Sequence, residues 1–156
     1  MSFAYRSFAV AVVLFSLFLA ATPASAQQAV LSKYSTKAAL MPIGESPEAP
    51  TAELFYIAYT LDGADAGRRP ITFCFNGGPG SSSVWLHLGV LGPRRVLLDD
   101  DGFGLRPPYK LVDNEASLLD VTDLVFIDPV STGFSRPAPG EKAKEFHGFT
   151  KDIESV

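Results

Sequence analysis

The run Asp123-Leu124-Val125-Phe126-Ile127-Asp128 constrains the fold more than any other stretch of the chain. Apolar residues that follow one another without alternation, closed off by an acid at each end, suit a strand covered on both faces. Such a strand needs a layer above and a layer below it. The pattern therefore predicts an α/β architecture around a central sheet. A second apolar run, Ile71 to Phe75, predicts another buried strand. Each run passes into a loop, Asn76-Gly77-Gly78-Pro79-Gly80 after one and Pro129-Val130-Ser131-Thr132-Gly133-Phe134-Ser135 after the other. Loops that leave strand ends are where α/β folds place their chemistry.

The first loop has the composition of a backbone donor site. Glycine exposes its N–H with no Cβ in the way, and Pro79 stiffens the turn. Amides presented like this suit an oxyanion or a carboxylate, although an ordinary Gly-Pro turn has the same composition. Upstream, Leu54 to Thr60 alternates as a strand does, and Asp62-Gly63 and Gly67 mark a connector. This strand and the Ile71 strand are expected to form a hairpin. Downstream, Ser81-Ser82-Ser83 offers helix caps before Val84, Trp85, Leu86 and Leu88, and Gly89, Gly92 and Pro93 end that helix. Arg94 to Leu98 reads as a further strand. Glu141 to His147 reads as a helical turn, and Thr150 as the cap of a helix reaching Ile153 and Val156.

Residues 1–26 have the make-up of a signal peptide. Arg6 is the positive flank, Phe8 to Ala21 the apolar stretch and Ala24-Ser25-Ala26 the small-residue cleavage pattern. The expectation is an exported protein, periplasmic or secreted, with no stable membrane association after cleavage. Residues 27–50, with Pro42, Pro47 and Pro50, read as a flexible leader, and residues 51–156 as the domain proper. With 13 basic against 17 acidic residues, the chain lacks the footprint of a nucleic-acid binder. Cys74, the only cysteine, cannot form an internal disulfide and reads as a small buried hydrophobe. His87 and His147 have no partner at metal-ligand spacing, and Asp99-Asp100-Asp101-Gly102 reads as a solvated turn. No metal or cofactor is implied.

Taken in order, Asn76-Gly77-Gly78-Pro79-Gly80, Leu91-Gly92-Pro93, Asp123 to Asp128 and Gly133-Phe134-Ser135 resemble the N-terminal region of the serine carboxypeptidase family, particularly its exported bacterial branch. The similarity runs from about Thr51 to Val156. It implies the α/β-hydrolase fold, with a Ser-Asp-His triad in that chain order and an oxyanion hole shared between the nucleophile turn and an earlier loop. By resemblance, the N–H of Gly78 is the earlier loop's oxyanion donor. Asn76 and the N–H of Gly77 hold the C-terminal carboxylate of a peptide substrate.

The chain departs from that pattern in informative places. Cys74 and Val90 stand where eukaryotic members carry Trp and Glu of the carboxylate-binding network, and Ser81 stands where they carry a disulfide-bonded cysteine. No Gly-x-Ser-x-Gly elbow occurs. Pro137 follows Gly133-Phe134-Ser135-Arg136 where that elbow would need a helix, so Ser135 reads as a loop serine. Spacing gives no support to a triad of His87, Asp128 and Ser135. The sequence stops on an apolar residue without a capping signal, which suggests the front part of a longer enzyme, itself without the triad. The alternative is a non-catalytic exported module that uses the glycine loop for an anion or another ligand. No P-loop or Gly-x-Gly-x-x-Gly pattern accompanies that loop.

Overall fold

The computed structural model describes residues 31–46, 48–76 and 80–155. The expected signal peptide lies outside the described residues. None of the described helices is long and apolar enough to cross a membrane.

The centre of the sheet is the unalternated apolar run. As β6 (Asp123–Ile127), it has every residue from Leu124 onward buried. It lies between β2 (Ala52–Leu61), to which it is antiparallel, and β3 (Ile71–Cys74), to which it is parallel. Beyond β2 lies β1 (Tyr34–Ile43), so the order is β1-β2-β6-β3. After its loop the chain returns as β7 (Arg136–Pro137), which pairs with Ala52 and Glu53 and continues the line of β6 along β2. Between β3 and β6 come a short helix, α1 (Val84–Leu86), a wider π turn (His87–Leu91), and a small antiparallel pair, β4 (Arg94–Val96) and β5 (Leu111–Asp113). Two 3-10 turns, Leu118–Asp120 and Ala143–Phe146, and the helix α2 (Phe149–Ser155) complete the described elements.

The two-residue period of a strand divides β6 between two cores. Leu124 and Phe126 face one side with Tyr59, Cys74 and Leu119, under Leu86 and Leu91 of the crossover. Val125 and Ile127 face the other with Leu54, against Ile43 and Tyr56. The amino end of β6 is pinned electrostatically. Asp123 Oδ1 accepts hydrogen bonds from Arg69 Nε at 2.6 Å and from the Leu61 N–H at 3.0 Å, and Arg69 Nη2 donates to the Leu119 carbonyl. One carboxylate thus joins the end of β2, the connector and the start of β6.

Three expectations need correction. Residues 27–50 are not a leader throughout, because Tyr34 to Ile43 pairs residue for residue with Leu61 to Ala52. Pro42 is tolerated because β1 is an edge strand, where a missing N–H costs no ladder bond. The hairpin consists of β1 and β2, not β2 and β3, since β6 inserts between the latter two. Finally, β3 is not buried on both faces. No described strand lies outside it, and Ile71, Phe73 and Phe75 are about half exposed. Cys74 is buried as expected, and burial pushes its thiol above the usual range. Asp99 closes a turn, accepting from the Phe103 N–H on its carboxylate and the Gly102 N–H on its carbonyl.

Candidate active site

Parallel pairing of β3 with β6 brings two carboxyl ends to the same edge of the sheet. Cys74 pairs with Phe126, so Asn76 leaves one strand beside the point where Asp128 leaves the other. Asn76 is half-buried, and its Oδ1 is buried with no hydrogen-bond partner among the described residues. A buried amide oxygen without a partner is costly unless something completes it. Turning the amide end for end would place Nδ2, a donor, at the same spot. Gly77 and Gly78, the other expected site residues, lie outside the described residues. The chain is described again from Gly80, whose φ of 108° is a conformation that favours glycine.

Asp128, 5% exposed, is the polar hub of this edge. Its Oδ1 accepts from the Ser83 N–H at 2.8 Å and from the Ser83 hydroxyl at 2.9 Å. Its Oδ2 accepts from the Phe134 N–H at 3.2 Å. Gly133, at φ 46°, passes so close that a Cβ there would overlap Asp128 Oδ2. The serine run does precede α1, but Ser83 makes no side-chain cap and spends its hydroxyl on Asp128. In sequence, Asp128 reads only as a strand terminator and Ser83 only as a cap. Their contact spans 45 residues, and the glycine five positions after the acid is the one local hint of close packing.

Ser135 is fully buried. Its hydroxyl accepts from the Phe55 N–H at 2.8 Å and donates to the Asp128 carbonyl at 2.6 Å. It splices the end of β6 to β2, with its proton committed to a backbone acceptor, and it has no access to a substrate. His87 points elsewhere, sharing a 2.7 Å hydrogen bond between Nε2 and the Tyr59 hydroxyl and lying over Phe126 with ring centroids 4.7 Å apart. These three side chains form no proton relay. Ser131, in the loop after β6, has a φ of 73° and a buried hydroxyl with no partner among the described residues. Nothing in the sequence signals that strain.

Burial lowers the pKa of His87, and the Asp128 carboxylate opposes the shift in part. A histidine whose folded pKa lies below its unfolded value binds fewer protons in the native state. Its contribution is intact above the unfolded value, about 6.5, and declines as pH falls through the lower folded value. Urea midpoints measured at pH 7.5 and 5 should show this decline, and His87→Phe should remove that part of it. An unchanged slope in the variant would assign the acid sensitivity elsewhere.

Residues 34–153 match the sequence profile of the family described as Serine carboxypeptidase. Among curated proteins, the chain is similar to the pheromone-processing carboxypeptidase KEX1 of Saccharomyces cerevisiae, 34% identical over 117 residues, which cover 72% of this chain and 15% of that protein. It is similar also to the protein of that name in Komagataella phaffii, 36% identical over 81 residues, covering 51% of this chain and 12% of that protein. In Zygosaccharomyces rouxii the figures are 34% over 103 residues, 65% and 14%. The chain thus spans about 15% of the length of the Saccharomyces protein.

Proposed function

This chain belongs to the serine carboxypeptidase family, and from that premise we propose that it is the front part of an exported serine-type carboxypeptidase of the α/β-hydrolase fold. Its share of the reaction is the loop after β3. A serine supplied by a longer polypeptide attacks the C-terminal peptide bond of a substrate. The Gly78 N–H holds the oxyanion that forms, while Asn76 and the Gly77 N–H hold the substrate's α-carboxylate. An oxyanion donor of this kind contributes about 3 kcal/mol of transition-state stabilisation. The nucleophile, acid and base belong to residues after Val156, and the chemistry calls for no metal or cofactor. Export follows from the signal-peptide pattern of residues 1–26, with the periplasm or the exterior as destination.

The observation that carries this reading is the buried Asn76 Oδ1, which has no hydrogen-bond partner among the described residues and whose place the Nδ2 donor takes when the amide is turned, at the carboxyl end of β3 beside that of the central strand. Ile71 and Phe73, with Phe75 just after the strand, share one face and are about half exposed, and no described strand lies outside β3, which supports the further claim that more of the domain packs against this strand.

The test is a longer polypeptide that includes the nucleophile, assayed on paired peptides ending in a carboxylate or an amide. Asn76→Ala removes one hydrogen bond to a charged group, worth about 1.5–3 kcal/mol. Cleavage of the free acid should fall about 10- to 100-fold in kcat/KM, with the amide changed far less. Equal loss on both would remove Asn76 from carboxylate recognition. Absence of turnover in the unmodified enzyme would favour a ligand-binding module.

A further inference from the structure

We propose that Asp128 is the positioning residue of the glycine loop: it fixes the loop's far end to the central strand, so that the segment leaving β3 is tied at both ends. The proposal rests on the carboxypeptidase reading for its kinetic consequence and on geometry for the rest. At the near end, Cys74 is held in the β3–β6 ladder opposite Phe126. At the far end, Ser83 is held by two hydrogen bonds to Asp128 Oδ1. Phe126 and Asp128 are only two residues apart on the same chain. Both ends are therefore referenced to one rigid element, the carboxyl tip of β6.

The other carboxylate oxygen serves the neighbouring loop through the Phe134 N–H, and the Asp128 carbonyl accepts from the buried Ser135 hydroxyl. Side chain and backbone of one residue thereby set two loops against a common origin. Gly133 supplies the shape, since any larger residue would overlap the carboxylate. Donors that must meet a developing charge tolerate little displacement, and an error of about 1 Å costs on the order of 100-fold in rate. Releasing the Ser83 end frees the stretch that leads back to the oxyanion donor Gly78, while the β3–β6 ladder still holds the chain next to Asn76, so kcat should fall far more than KM rises.

Two variants test this in the longer enzyme, Asp128→Ala and the milder Ser83→Ala, read by steady-state kinetics and by amide hydrogen exchange. Asp128→Ala removes both carboxylate acceptors, so exchange at the Ser83 and Phe134 amides should accelerate at least about 10-fold while the β2–β6 ladder stays protected. The kcat should fall about 100-fold, with KM held within about 3-fold. Ser83→Ala should lower kcat by a smaller factor, and adding it to Asp128→Ala should bring little further loss. Unchanged exchange at Ser83 in Asp128→Ala overturns the proposal, and so does accelerated exchange with kcat intact. Should Asp128→Ala not fold, Ser83→Ala decides alone, and an unaltered kcat in that variant overturns the proposal. Absence of turnover in the unmodified enzyme overturns the carboxypeptidase reading instead. Exchange then still decides whether Asp128 holds the loop.

Discussion

Gly133→Ala is expected to destabilise the protein by about 4 kcal/mol. Two costs combine. A non-glycine residue in the left-handed region, where Gly133 sits at φ 46°, costs about 1–2 kcal/mol. The new methyl group also displaces the Asp128 carboxylate, because its position overlaps Oδ2. Displacement strips acceptors from the Ser83 N–H, the Ser83 hydroxyl and the Phe134 N–H. Each buried group left unpaired costs about 1–3 kcal/mol. Urea denaturation checks the result. At a slope of about 2 kcal/mol per molar, the midpoint should drop by about 2 M. A drop below about 0.5 M would mean that the loop re-forms around alanine and that the carboxylate is not fixed where the structure has it.

Arg69→Leu should cost nearly as much, for an electrostatic reason. The side chains of Arg69 and Asp123 are 11% and 15% exposed, so the pair is largely shielded from water. Removing one partner of a buried pair leaves an uncompensated charge and costs about 3–5 kcal/mol. Here the stranded Asp123 carboxylate would keep, among the described residues, the Leu61 N–H alone. The Leu119 carbonyl would also lose its Arg69 donor. Adding Asp123→Asn removes the charge and leaves an acceptor for Leu61, so the double variant should recover at least half of the loss. Equal stability of single and double variants, by the same urea titration, would show that packing and not charge is lost.

The elements legible in the sequence are those whose residues carry their own signal. The run Leu124 to Ile127 has no polar break, and only a strand buried on both faces fits it. Cys74 and Ser135 are core and loop residues in sequence and structure alike, because their neighbours leave no other role. What stays hidden depends on partners distant in the chain. The β1 strand is mostly exposed along Tyr34-Ser35-Thr36-Lys37 and carries Pro42, so neither periodicity nor propensity marks it. It exists because β2 offers ten residues of matching register. Adjacent strands usually pair, which favours a hairpin of β2 with β3, but a parallel partner of β3 takes the place between them. The site divides in the same way. Asn76 is legible from the glycines that follow it, whereas the grip of Asp128 on Ser83 leaves no local mark.

The crossover between β3 and β6 also bears on the order in which the chain assembles. Joining β1 to β2 closes a loop of eight residues (44–51), while joining β3 to β6 closes one of 48 (75–122). Loop entropy makes the second closure dearer by about 1.6 kcal/mol before any contact compensates. The long hairpin is thus the natural nucleus, and the edge bearing Asn76 and Asp128 is a late arrival in folding.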